Sequence, residues 1–166
     1  MVKSALLVVG IQDFNYENID DNNYRNKVSK FLEYARFIFN SEEIIHINGS
    51  YICSNFKKII NKYNKKNINY NSKQCSWVNR QLYEPVYIKT NVDISKTGIV
   101  NYLLHKNIKR IYMIGLFSSL CINYNALELS VHNFDVIILK KYCADINKDK
   151  HNEIFKIYEN IIYKVL

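Results

Sequence analysis

Apolar residues run unbroken from Ala5 to Val9 and, after Gly10, end at Ile11. A strand with one wet face alternates apolar and polar residues. A continuous run suits a strand covered on both faces, as in a parallel sheet. From Asp20 the period changes. Tyr24, Val28, Phe31, Leu32, Ala35 and Ile38 recur at helical spacing, and the Asp/Asn cluster at 20–23 supplies cap residues. Glu43 to Ile47 reads as a second strand. Pro85 to Lys89 is a third, Lys109 to Gly115 a fourth and Asp135 to Leu139 a fifth, with Ile161 to Leu166 as a sixth. Between them lie helical patterns. One is capped by Ser95 and carries Ile99, Val100, Leu103 and Leu104. Another runs from Leu120 to His132. A third spans 148–160 with Ile154, Phe155 and either Ile157 or Tyr158 inward. Residues 53–74 are Lys/Asn-rich, and Phe56, Ile59, Ile60 and Tyr63 predict a short helix followed by a mobile loop there.

Strand and helix alternate throughout. The pattern predicts an α/β fold, a doubly wound, mostly parallel sheet of five to six strands with helices on both faces, formed by residues 1–166 as a single domain. In such sheets sites gather at the C-terminal ends of strands. That rule singles out 10–13, 89–93 and 115–121.

Composition changes the picture in one respect. Asn, Lys, Ile and Tyr make up 80 of the 166 residues, and their codons are A/T-rich. Basic residues are 19 Lys against four Arg, so codon bias accounts for much of the net charge of +8. The charge permits an acidic partner such as nucleic acid without pointing to one. The first apolar run is too short for a transmembrane or signal segment, and the chain is expected to be cytoplasmic with no membrane association. Cysteines at 53, 75, 121 and 143 contain no C-x-x-C, and the histidines at 46, 105, 132 and 151 are scattered. Neither set has zinc-site spacing, and free thiols are expected.

From Gly115 to Ile122 the chain runs from a strand end through a tight loop into a helix. Cys121 would sit in the first turn, where the dipole and unpaired amides favour a thiolate and can hold an oxyanion. The alternative is a buried thiol acting as a small apolar residue. Lys89 ends a strand. It is either a solvated terminus or a cation beside Cys121.

These segments together resemble the isochorismatase-like cysteine hydrolases, which include the nicotinamidases. That family opens with an apolar strand ending in D-x-Q, and here Ala5 to Gln12 reads A-L-L-V-V-G-I-Q. Its second signature is a strand ending in Lys, then a small-residue/Thr step, matched by Val86 to Lys89 with Ser95 to Thr97. Its third, G-x-x-x-x-x-C-V followed by T-A-x-D/E-A, falls on Gly115 to Ile122 and then Asn125 to Leu129. Asp135 to Asp145 resembles the strand that leads into a D-A-C-A loop, with Lys141 where an acid is common and Cys143 beyond it. The resemblance implies the doubly wound fold and a triad of Asp, Lys and Cys. Cys121 is then the nucleophile, Lys89 orients the pair, and the amides of Phe117 and Cys121 hold the oxyanion.

The acid's position falls on Gly10, which cannot accept a proton. Asp13 is a candidate substitute, with a helix or turn cap as its other reading. Asp93 is expected in a surface loop. Phe117 stands where the family tends to place a small residue, often after a non-proline cis peptide. His46 and Asn48 offer too little for the metal that nicotinamidases hold, so neither metal nor other cofactor is expected. These departures predict a degenerate, non-catalytic domain serving as a binding or structural subunit, with an RNA-containing assembly such as a ribosome, or a second copy, as partner. The alternative is a cysteine hydrolase cleaving a C–N bond of a small amide through Cys121 and Lys89, with Asp13 as base.

Overall fold

In the computed structural model, residues 2–19, 21–50, 58, 62 and 73–166 are described. The helix and loop expected at 53–74 lie largely outside them. The strands are β1 (Ser4–Val9), β2 (Ile44–Gly49), β3 (Val86–Lys89), β4 (Arg110–Leu116), β5 (Asp135–Ala144) and β6 (Lys164–Val165). They form one sheet in the order β3-β2-β1-β4-β5-β6, every pair parallel. The chain winds outward from β1 in one direction through β2 and β3. It then returns to β4 and winds outward the other way, the doubly wound arrangement that places helices on both faces. This is the expected α/β architecture.

The helices are α1 (Asp13–Tyr16), α2 (Tyr24–Ile38), α3 (Ile99–His105), α4 (Asn123–Val131) and α5 (Lys148–Tyr158). A π-helical turn, Ser118–Ile122, leads into α4. The core is built where the apolar runs are continuous. Ala5 to Val9, Ile44, Ile45 and Ile47, and Ile111, Met113 and Ile114 are all buried, with Tyr24, Val28, Leu32 and Ala35 of α2 packed against them.

Several details differ from the expectation. β1 stops at Val9 because Gly10 turns the chain with φ +64°. β5 runs to Ala144, beyond Leu139, after an irregularity in its pairing with β4 between Met113 and Gly115. Ile38 and Leu104 point outward, at 58% and 47% exposure. In α5 Tyr158 packs on the core and Ile157 is exposed. Neither expected cap forms through its side chain. Ser95 donates to Asp93, and the Ile99 N–H finds Thr97 Oγ1 at 3.3 Å. Asp21 takes the Asn23 N–H at 3.0 Å and pairs with Lys27 at 2.6 Å, while Asn23 occupies the cap position of α2 without a side-chain bond.

The winding reverses between β1 and β4, and there the two strands approach closely. A Cβ on Gly115 would lie 1.9 Å from the Val9 carbonyl oxygen, so only glycine fits. In an open α/β sheet this reversal is where a site is expected, just beyond the strand ends.

Candidate functional site

Gly10, Lys89 and the Phe117–Cys121 turn all lie at C-terminal strand ends around that reversal. Gly10 is buried, and its N–H donates to the Ile47 carbonyl at 2.8 Å. Its carbonyl accepts from Asn15 Nδ2 at 2.6 Å and from the Gln12 N–H at 2.9 Å. A Cβ at this position would stand 2.4 Å from the Leu116 carbonyl oxygen. Two residues on, Gln12 ties the loop to β2 by donating to the Gly49 carbonyl and accepting from its N–H, at 3.1 and 2.8 Å.

Lys89 is 1% exposed at the end of β3, opposite Gly49 in the ladder, and its Nζ donates to the Val92 carbonyl. It is therefore not a solvated terminus. The Leu116–Phe117 peptide is cis, and the Phe117 ring is fully buried. Cys121 is 1% exposed, one turn into the helical segment. Three amides of that turn have acceptors. Ser119 N–H donates to Asp145 Oδ2 at 2.7 Å, and the Leu120 and Ile122 N–H groups donate to the Phe117 carbonyl at 3.2 and 3.0 Å. Asp145 thus caps the turn that carries Cys121, a role sequence reasoning did not assign. Only the approach of β5 to β4 in the folded sheet brings it there.

Among the described residues no carboxylate is hydrogen-bonded to the Cys121 sulfur. The residues outside the description contain a single acid, Asp20. Asp13 sits exposed at the start of α1, its carboxylate on the side of the Cys75 thiol. Burial and that carboxylate together push the Cys75 thiol far above its ordinary range. Asp93 closes its own turn by accepting from the Ser95 N–H and hydroxyl at 3.0 and 2.6 Å. Neither Asp13, the candidate substitute base, nor Asp93 is hydrogen-bonded to the Cys121 thiol.

His46 is fully buried, with both ring nitrogens in use. Nε2 meets Glu84 Oε2 at 2.8 Å and Nδ1 meets Gln74 Nε2 at 2.5 Å. Arg36 from α2 completes the cluster, its Nε donating to Glu84 Oε1 at 2.6 Å. Burial works to raise the Glu84 carboxyl. The bonds from His46, Arg36 and the Gln81 N–H outweigh it and hold the carboxyl down at about 2. Burial holds His46 below its ordinary range, against the pull of Glu84. Neutral His46 therefore donates through Nε2 and accepts through Nδ1. Asn48 Oδ1 is buried with no hydrogen-bond partner, but one amide oxygen beside an engaged imidazole is a poor donor set. Among the described residues no group of three or more His, Cys, Asp or Glu is placed to hold a metal. The segment 51–72 adds only Cys53 of those types. The residues present do not fit a metal centre of the kind nicotinamidases use.

The Isochorismatase domain family matches residues 71–165. The chain belongs to the isochorismatase family. Three solved structures share the fold. An isochorismatase-like hydrolase from Alkaliphilus metalliredigens superposes with TM-score 0.80 at 16% identity, over 99% of this chain and 94% of that one. The nicotinamidase of Staphylococcus aureus gives TM-score 0.75 at 14% identity, over 99% and 98%. The N-carbamoylsarcosine amidase of Thermoplasma acidophilum gives TM-score 0.76 at 16% identity, over 99% and 95%. No curated protein matches the chain by sequence. Among the described residues no helix is long and apolar enough to cross a membrane. The matched residues include Lys89 and Cys121 and begin after Gly10.

Proposed function

We propose that this chain is a non-catalytic member of the isochorismatase family, keeping the fold as a binding or structural subunit. The observation that carries this reading is the acid position. Gly10 offers no carboxylate, and the space a side chain would need there is taken by the Leu116 carbonyl. Thiol deprotonation and leaving-group protonation then lack a proton carrier, and loss of one member of such a unit removes orders of magnitude in rate. The buried Phe117 ring also crowds the place of a substrate oxyanion. The test is ammonia release from nicotinamide and from N-carbamoyl amino acids. Wild type and Cys121→Ala should both match the buffer blank, and release that disappears in Cys121→Ala would refute the reading.

That refuting outcome is what a second reading expects. In it the chain is a cysteine hydrolase cleaving a C–N bond of a small amide through Cys121 and Lys89. The likeness to the nicotinamidase and the N-carbamoylsarcosine amidase favours it, as does the presence of both residues at the strand ends.

For a binding subunit, the net charge of +8 is compatible with an RNA-containing assembly such as a ribosome as partner, with a second copy as the alternative. Co-sedimentation with ribosomes that fades as salt rises from about 50 to about 200 mM supports the first. A salt-insensitive dimer supports the second.

A further inference from the structure

A cavity of about 500 Å³ opens beside the C-terminal half of β5, and none of Gly10, Lys89, Phe117 or Cys121 lines it. Its volume lies within the roughly 300–1,000 Å³ of small-molecule sites. Ile19, Ala144 and Leu166 give it apolar wall, and the Cys143 thiol adds to it. Five basic side chains from three elements surround that wall: Lys27 of α2, Lys140 and Lys141 of β5, and Lys148 and His151 of α5.

Among the described residues the lining holds two acids, and Asp21 offsets the charge of Lys27, leaving Lys140, Lys141 and Lys148 in excess over Asp145. Asp21 pairs with Lys27 at 2.6 Å. Asp145 accepts from the Ser119 N–H at 2.7 Å and the Asn147 N–H at 3.4 Å. Lys140 and Lys141 lie over the rings of Phe155 and Tyr142, at 5.7 and 5.8 Å, contacts that steady an ammonium without cancelling its charge. Ser118 Oγ lies 2.7 Å from His151 Nδ1 and 3.1 Å from the Ala144 carbonyl. The hydroxyl has one proton. With it donated to Ala144, the ring must donate through Nδ1, and Nε2 becomes the nitrogen that takes up a proton. The lining is thus rich in positive charge and donors, poor in uncommitted acceptors, and apolar between them.

We propose that this cavity binds a small phosphate monoester carrying an apolar or aromatic body. The dianion matches several cations at once, and the body covers the apolar wall. A carboxylate brings half the charge, and inorganic phosphate brings no body. The site stands apart from Cys121 and holds whether or not that residue is catalytic.

Burial, and then Lys140, keeps His151 below its ordinary range, and a dianion among Lys27, Lys140, Lys141 and Lys148 would counter the second effect. Calorimetry on the full chain with phenyl phosphate, benzoate and inorganic phosphate tests the proposal. Phenyl phosphate should bind at least about tenfold more tightly than either of the others, and less tightly as salt rises. The His151 ring proton, followed by NMR, should titrate at higher pH when phenyl phosphate is present. Lys140→Ala with Lys141→Ala should weaken binding at least about tenfold, while Lys156→Ala, on the exposed side of α5, should leave it unchanged. Equal binding of inorganic phosphate or of benzoate would overturn the proposal. So would wild-type affinity in the folded double variant, or a His151 titration unmoved by the ligand.

Discussion

Gly10 is fixed by bonds to Ile47, Gln12 and Asn15 while its φ is +64°, a conformation that costs an L-residue about 1–2 kcal/mol. The Leu116 carbonyl fills the place of a Cβ. Gly10→Asp therefore does more than supply a carboxylate, because it must first displace the start of the Phe117 loop. Urea denaturation should show Gly10→Asp and Gly10→Ala destabilised alike, by roughly 2–4 kcal/mol, because the Cβ and not the carboxylate is at fault. Neither should hydrolyse an amide. A Gly10→Asp protein of wild-type stability that releases ammonia from nicotinamide would show that the loop yields easily and that only the carboxylate was missing. Gly10, Lys89 and Cys121 were legible in the sequence because each ends or follows an apolar run, and strand ends are where such a fold places chemistry. Asp145, Ser118 and His151 were not. Their meeting depends on how β5 and α5 pack against the turn after β4, and no spacing in the chain encodes that.

At the scale of elements, one polar cluster ties β2, α2 and the segment before β3 together. His46, Glu84, Arg36 and Gln74 share bonds of 2.5–2.8 Å, with His46 and Glu84 almost wholly buried. Its pH dependence has a definite sign. Glu84 titrates at about 2 in the fold against 4.5 ordinarily, so its contribution is present above pH 4.5 and is lost as pH falls towards 2. His46 is held below 6.5, so the unfolded chain takes up a proton there more readily, and stability also declines as pH drops below 6.5. Urea midpoints should fall in two stages, below pH 6.5 and again below 4.5. In Glu84→Gln the second stage should shrink, and the variant should lose about 3–5 kcal/mol at neutral pH because the Arg36 guanidinium keeps no charged partner. Midpoints that stay flat between pH 7 and 3 would show that the cluster opens without consequence. Helix faces were readable from period alone as far as the final turns. Ile38 read as inward, yet Phe39 leaves the helix in extended conformation and takes the contact with Tyr112 at 6.0 Å. Leu104 likewise gives way to buried Ile108, which enters on a bond to the Leu103 carbonyl at 3.0 Å. α1 escaped notice because four residues carry no period.

At the scale of the whole molecule, the strand order interleaves early and late parts of the chain. β1 pairs with β2 on one side and with β4 on the other, so the first strand cannot complete both ladders until residues 110–115 have arrived. The sequence pattern showed the alternation that makes such a sheet, but not that the winding reverses at β1. This topology predicts that the chain unfolds as one unit. Trp77 tests it directly, because it is the only tryptophan and lies in the segment before β3, with its ring 5.3 Å from Tyr16 and 6.4 Å from Tyr24. Its fluorescence reports that corner of the fold, while far-UV circular dichroism reports all helices and strands. The two urea transitions should coincide. Leu7→Ala, at a fully buried position in β1, should move both curves together by about 3 kcal/mol. Ile88→Ala, half exposed on the edge strand β3, should move them by less than about 1 kcal/mol. A Trp77 transition that precedes the circular dichroism, and that Leu7→Ala leaves in place, would mean that the segment before β3 unfolds separately from the sheet.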